Sequence, residues 1–143
     1  RMSDRQFINH SMKGWNSNDA HDLKPKARIQ RILRRMGIAV TLTDTIFIDK
    51  NTGEYTNKQP KMTSKEDGFR RFYIRNPDML SMRYRLIIEL DGTFHTNTKK
   101  GVRQTATRNT EYGLTNLRVV IFSTPELKDM TATEIRQKII NTF

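Results

Sequence analysis

The stretch RYRLIIELDG, residues 83–92, determines how the fold of this chain is interpreted. Its leucines and isoleucines favour a β-strand from Arg83 to Asp91, which Gly92 ends. Because side chains of a strand alternate between two faces, Glu89 and Asp91 share one face while the other is entirely apolar. Two carboxylates on a largely apolar strand repel each other and lose hydration. The pattern therefore predicts a hard divalent cation beside them.

A third acid, Asp78, follows Asn76-Pro77 a short distance upstream. We expect it on the neighbouring strand, or in the turn that leaves it, where a hairpin can bring it beside Glu89. His95 lies in the loop that follows Gly92. Taken alone, Asp78 is typical of a turn and His95 of a hydrogen-bonded loop residue. The combination is what indicates a site.

The rest of the chain predicts a mixed β-sheet with helices packed on it, an α/β fold. We expect a polar N-terminal arm in residues 1–21, where Trp15 pins the arm to the domain, and a single domain in residues 22–143. The predicted elements follow the order α-β-β-β-α-β-α. They are helix 22–36, strand 38–49, strand 69–74, strand 83–91, helix 102–115, strand 118–122 and helix 130–140. The lysine-bearing stretch before residue 69 is expected to be either a long loop or an irregular hairpin.

The first predicted helix has one apolar and one basic face. Asp22 is its expected N-cap, and Gly37 is expected to end it. The apolar stripe is formed by Ile29, Ile32, Leu33 and Met36. The basic face, either open to phosphates or simply solvated, is formed by Lys24, Arg28, Arg31 and Arg35. In the second long helix, the residues expected to face the sheet are Val102, Ala106, Gly113 and Leu117, and Asn116 is expected to end it.

Composition points to a polyanionic partner. The chain has 26 Lys and Arg against 15 Asp and Glu, a formal charge of +11, and residues 1–76 hold 16 of these cations and 8 of the acids. A domain this basic commonly binds nucleic acid. Cysteine is absent, which excludes disulfides, thiolate zinc sites and a cysteine nucleophile. We expect a soluble protein of the cytoplasm, in a prokaryotic cell or a virus-infected host.

The acidic block resembles the core of the PD-(D/E)XK nuclease superfamily. The motif runs from Asp78 to Glu89-Leu90-Asp91-Gly92 and His95, and it is most similar to the branch of very-short-patch repair endonucleases. The downstream residues that fit this branch are Arg108, Tyr112, Asn116 and the strand Val119–Phe122. Two positions depart from the family. Asp91 stands where the superfamily usually has a lysine, although this branch commonly has Asp-Gly there, and Lys26 stands where relatives often have a glutamate.

The resemblance implies a metal-dependent endonuclease. In this interpretation Asp78 and Asp91 bind Mg²⁺ or Mn²⁺ directly, and Glu89 is a ligand or orients the attacking water. His95 acts as a general acid/base or polarises the phosphate. The cations expected to contact the DNA backbone, in addition to the basic face of the first helix, are Lys99, Lys100, Arg103 and Arg108, the last being alternatively a structural ion pair.

Several functions fit this pattern. Among nucleases, a mismatch or site-specific nickase, a double-strand cutter, a free-standing homing endonuclease and a Holliday junction resolvase all remain open, and so does a homodimer. The absence of the motif lysine favours a different class, a non-catalytic DNA-binding module on a degenerate nuclease core. Ribonuclease activity is a third alternative, since no residue pattern reads a 2′-hydroxyl.

Overall fold

The structure is a computed structural model of the 143-residue chain, and it describes residues 2–92 and 99–143. The helices of the described residues are α1 (Asp4–Ser11), α2 (Pro25–Arg35), α3 (Lys65–Arg71), α4 (Lys99–Tyr112), α5 (Thr124–Asp129) and α6 (Ala132–Ile140). The strands are β1 (Ile46–Asp49), β2 (Tyr55–Thr56), β3 (Phe72–Arg75), β4 (Met79–Ser81), β5 (Leu86–Asp91) and β6 (Arg118–Ser123). The mixed α/β class is confirmed.

The strands form two sheets rather than the one that we expected. In one sheet β5 lies between β4, which is antiparallel to it, and β6, which is parallel to it. In the other, β1 lies between β2 and β3 and is antiparallel to both. The chain changes sheets at Pro77, which has no N–H to continue a ladder. The predicted strand 69–74 therefore pairs with β1, and the three-residue strand β4 pairs with β5 instead.

Strand β5 separates two apolar clusters. Leu86 and Ile88 pack with the helices α1, α2 and α6, whereas Ile87 packs with Ile46 and Ile48 of the other sheet. The predicted alternation is thus confirmed. Since side chains alternate, Glu89 and Asp91 continue the face of Ile87 rather than the helical core.

The N-terminal segment is more structured than the expected polar arm. Helix α1 begins with a capping box between Ser3 and Gln6, and its Ile8 is fully buried in the same cluster as α2. The prediction for Trp15 is confirmed: its ring packs against this cluster and its Nε1–H donates to Thr133 Oγ1 at 3.0 Å. The N-terminal segment therefore contacts the folded core through Ile8, Met12 and Trp15, while most of its other residues are exposed or half-buried.

Helix α2 has the expected apolar stripe but a different start. All four predicted core residues are fully buried, which confirms the stripe. The N-cap is Lys24 rather than Asp22, because Pro25 occupies the first turn. The predicted loop before residue 69 contains helix α3, which Ser64 caps by accepting the N–H of Asp67.

Helix α4 is rotated relative to the prediction. Val102 is 53% exposed and Ala106 is also exposed, whereas Tyr112 packs in the second cluster. Asn116 is not among the described residues with a positive φ, so the expected left-handed cap is wrong. In the part of the chain that the structure describes, no helix combines the length and apolarity needed to cross a membrane.

Candidate active site

Glu89 lies on β5 with only 8% of its surface exposed. The hydroxyl of Tyr112 donates to its Oε1 at 3.2 Å, and Arg108 Nη1 lies 3.5 Å from its Oε2. Burial and the nearby carboxylate of Asp78 raise the pKa of Glu89 to about 7, although Arg108 and Tyr112 act in the opposite direction. At neutral pH this carboxyl group therefore readily gains or loses a proton.

Asp78 directly precedes β4, which forms the hairpin with β5. Met79 pairs with Ile88 in that ladder, so Asp78 reaches the level of Glu89 and Leu90. The backbone N–H of Leu90 donates to Asp78 Oδ2 at 2.7 Å. The expectation that a hairpin brings Asp78 beside Glu89 is confirmed, although β4 rather than the strand 69–74 supplies it.

Asp91 forms a buried ion pair with Arg108. Nη1 and Nη2 of the guanidinium donate to Oδ1 and Oδ2 at 2.8 and 2.9 Å, the two-pronged geometry that planar guanidinium favours. Asp91 is 4% exposed and Arg108 is 8% exposed. These hydrogen bonds raise the pKa of Arg108 above its ordinary value. The sequence left open whether Arg108 contacts the DNA backbone or forms a structural ion pair, and the structure contains the ion pair.

The residues present fit a divalent cation held by two acids. Within residues 2–92 and 99–143, no group of three or more acidic or histidine side chains is close enough to hold a metal ion. Asp78 and Glu89 nevertheless lie together, and the raised pKa of Glu89 indicates that its negative charge is poorly compensated. Mg²⁺ is commonly bound through one or two carboxylates, with water and substrate phosphate completing its shell. The donor set therefore suits Mg²⁺ or Mn²⁺ between Asp78 and Glu89.

A cavity of about 700 Å³ opens beside Glu89. The cations that line it are Arg75, Lys100, Arg103 and Arg108. Arg75 pairs with the buried Glu111 through its Nε. Among the described residues, neither Lys100 nor Arg103 has an acidic partner, so both are available to a bound anion. The cavity thus has one carboxylate and four cationic side chains on its walls.

The sequence predicts Arg108 as a phosphate contact or ion pair and links Tyr112 only to the nuclease branch. It does not identify Glu111 or the hydrogen bond from Tyr112 to Glu89. Arg108, Glu111 and Tyr112 lie at i, i+3 and i+4 on α4, so they share one face, and that face packs on the sheet. The helix was expected to turn its small apolar residues inward. The sequence did contain a signal for these residues, because Arg108, Glu111 and Tyr112 form a polar face on α4 that could pair with the acids of β5.

The remaining predicted residues that the structure describes lie at the surface: Lys24, Arg31, Arg35 and Lys99. His95 falls in residues 93–98, which lie outside the described residues. Lys99 is exposed at the start of α4, and Lys24 is exposed before α2. Arg31 and Arg35 have side chains 52% and 39% exposed, and both lie near Asp19.

Arg28 corrects the predicted basic face of α2. It is only 3% exposed, and its Nη1 and Nη2 donate to the carbonyl oxygens of Leu127 and Met130 at 2.8 and 2.7 Å. It lies one turn before Ile32 and therefore belongs to the buried stripe. Its role in this structure is to join α2 to α5.

Comparison of the chain with protein-family models, with curated proteins and with solved structures found no significant match. The site must therefore be interpreted from its own geometry.

Proposed function

We propose that this protein is a metal-dependent DNA endonuclease whose active site is formed by Asp78 and Glu89. The observation that carries the proposal is the carboxylate of Glu89 in the wall of a cavity lined by cations, with Asp78 beside it and its pKa raised to about 7. The cationic walls suit a polyanion, and a phosphodiester bound there would lie near Glu89. The formal charge of +11 supports a nucleic-acid substrate.

The arrangement around β5 also supports kinship with PD-(D/E)XK nucleases of the very-short-patch repair type. Asp78 lies one strand away from Glu89, and a parallel strand, β6, follows a helix after β5. The second sheet, β2-β1-β3, differs from the single sheet expected of such a core. The kinship is therefore proposed from the central hairpin and β6 alone.

Each residue of the site has a distinct proposed role. Asp78 and Glu89 would hold the metal ion, which supplies an activated water and neutralises charge at phosphorus. Tyr112 donates to Glu89 Oε1, whereas Oε2 lies 3.5 Å from Nη1 of Arg108, so two neighbours on α4 fix the orientation of this carboxylate. Lys100 and Arg103, which lack acidic partners among the described residues, would contact the phosphate backbone.

Asp91 has a positioning role in this proposal. Its carboxylate holds Arg108 in the two-pronged pair, and that guanidinium in turn lies 3.5 Å from Glu89. Arg108 thereby limits the rise in the pKa of Glu89. The prediction of three metal-binding acids is replaced by two acids and one acid that orients a cation.

The test is cleavage of supercoiled plasmid by purified protein with Mg²⁺, with Mn²⁺ or with EDTA. We expect metal-dependent nicking or linearisation, abolished in Glu89→Gln and Asp78→Asn, while gel-shift affinity for DNA is retained. Glu134→Gln is the matched control, because it removes the same charge at a helix cap where glutamine also functions. Unchanged cleavage in both site variants would refute the assignment.

A second candidate function is a DNA-binding module without catalysis. The ion pair between Asp91 and Arg108 favours it, because it leaves two acids rather than three for a metal. This candidate predicts DNA binding that EDTA does not change and no cleavage of plasmids, mismatched duplexes or four-way junctions. Preference for four-way junctions by a stable dimer, with cleavage, would instead identify a junction resolvase.

A further inference from the structure

The helix α3 presents an aromatic ring to solvent. Phe69 is 54% exposed, although burying a phenylalanine is ordinarily favourable. Its ring has the Nζ of Lys65 at 5.9 Å from its centre. Scattered exposed apolar residues need no explanation, but an aromatic ring among cations is typical of nucleic-acid surfaces.

The surroundings of Phe69 are strongly basic. Residues 57–71 contain five Lys and Arg and two acids, a formal charge of +3. One of the acids, Asp67, is buried and holds Arg70 at 2.8 Å and Arg71 at 3.3 Å. The side chain of Arg70 is still 79% exposed. The aromatic ring therefore lies between cations that face solvent.

The backbone beneath the ring is fixed. The Nζ of Lys50 donates to the carbonyl oxygen of Phe69 at 2.7 Å, and Nη1 of Arg71 donates to that of Lys61 at 3.0 Å. These bonds tie α3 to the turn after β1 and to the preceding loop. A backbone held in place before a ligand arrives loses little conformational freedom on binding, so only the Phe69 side chain has to be ordered.

Helix α3 also leads directly to the proposed active site. Strand β3 follows it without a loop, and the last residue of that strand, Arg75, and the residue after it, Asn76, line the cavity beside Glu89. Four strand residues span roughly 13 Å. This corresponds to about four nucleotides of stacked single strand at 3.4 Å each.

We propose that the exposed face of α3 binds a single-stranded segment of DNA, with the ring of Phe69 stacked on an unpaired base and with Lys65 and Arg70 beside its phosphates. The inference rests on the proposed function only in taking DNA as the polymer. It adds a substrate class: DNA that has unpaired bases near the cleavage site, such as a gap, a flap or a junction. Intact duplex keeps its bases stacked on one another and offers the ring no partner.

The test measures binding of the whole protein in EDTA, so that cleavage plays no part. Fluorescence anisotropy is recorded with a labelled single-stranded oligonucleotide and with the duplex of the same sequence, over a series of salt concentrations. The variants are Phe69→Ala, Phe69→Leu and Arg70→Ala. Phe7→Ala is the matched control, because Phe7 is 42% exposed on α1, which packs on the other side of the β5 sheet.

We expect both Phe69 variants to weaken single-strand binding by about 5- to 150-fold, since leucine has no π-face, and to weaken duplex binding much less. Their slope of log affinity against log salt should equal that of the unmodified protein, whereas Arg70→Ala should reduce it by about 0.7. Phe7→Ala should change neither quantity. Since Phe69 is at the surface, an unchanged circular dichroism spectrum is expected of both variants.

Equal losses on single strand and duplex would overturn the inference, and so would unaltered single-strand binding by Phe69→Leu and Phe69→Ala. A loss in Phe7→Ala as large as in Phe69→Ala would also overturn it. If the binding test contradicts the role of Phe69, the proposed nuclease function is still tested separately by plasmid cleavage with Glu89→Gln, because cleavage depends on the cavity beside Glu89. Conversely, a protein that cuts nothing but loses single-strand affinity in both Phe69 variants would refute the nuclease and retain this site.

Discussion

Replacing Glu89 by glutamine should make the metal-free protein more stable at neutral and alkaline pH. The glutamate is buried, and Asp78 adds a second negative charge nearby, so ionisation of Glu89 opposes folding. Glutamine has the same shape, keeps an oxygen that can accept the hydrogen bond of Tyr112, and carries no charge. The substitution thus removes the electrostatic cost while retaining the packing.

The size of the effect follows from the shift in pKa. The pKa of Glu89 rises from 4.5 to about 7 on folding, so the folded state binds the proton more tightly than the unfolded chain. The stability of the unmodified protein relative to Glu89→Gln is therefore highest below pH 4.5 and declines as the pH rises through about 7. At 1.36 kcal/mol for each pKa unit, the total decline is on the order of 3 kcal/mol.

The assay is urea unfolding of both proteins in EDTA between about pH 4.5 and about pH 8. Other groups that titrate in this range are common to both, so the difference between the two curves isolates Glu89. Mg²⁺ at the alkaline end should stabilise the unmodified protein and narrow the difference, because it binds the charged pair and not the amide. If the free energies of unfolding of the two proteins differed by a constant amount over the whole pH range, the argument that burial and Asp78 oppose the ionisation of Glu89 would be refuted.

Further substitutions test the ion pair at the site and the packing of the fold away from it. Arg108→Met should lower the free energy of unfolding by about 3–5 kcal/mol, because the buried carboxylate of Asp91 loses the guanidinium that binds both of its oxygens. Adding Asp91→Asn should restore part of that loss in the same urea experiment. Arg28→Met should cost about 2–3 kcal/mol by leaving two carbonyl groups without their donors, while the salt dependence of DNA binding stays unchanged. In thermal unfolding, Gly53→Ala should lower Tm more than Gly14→Ala: φ is +75° and +81°, but only at Gly53 would the new methyl lie 2.1 Å from a carbonyl oxygen.

The parts of the fold that the sequence predicted are those with a strong local signal. The stripe of α2 follows the helical period over two turns, and β5 alternates over its whole length, so burial alone specifies both. Strand β4 has three residues and helix α3 has seven, and such short elements depend on tertiary contacts. To predict strand β4, one must know that the chain after Pro77 pairs with β5 and no longer with β1.

The same distinction applies to the site. Asp78 and Glu89 are joined by a hairpin, so their proximity follows from local sequence. Asp91 and Arg108 are 17 residues apart, and their pairing depends on which face of α4 packs on the sheet. The apolar residues of α4 gave too weak a stripe to decide this, since Val102 is exposed. The ion pair at Asp91 decides it instead.

Charge balance explains why this site should need a cation. Asp78 and Glu89 bring two negative charges together when both are ionised, and the guanidinium of Arg108, which binds Asp91, offsets only part of their repulsion. A proton on Glu89 removes one of these charges, which agrees with a pKa of about 7. A divalent cation would remove both, and it would keep Glu89 ionised at the pH where phosphodiester hydrolysis needs a charged site. A module that only binds DNA would gain nothing from this arrangement, because a buried acid weakens phosphate binding. The raised pKa of Glu89 beside Asp78, in a chain of charge +11, is therefore the observation on which the proposal of an enzyme rather than a binding module rests.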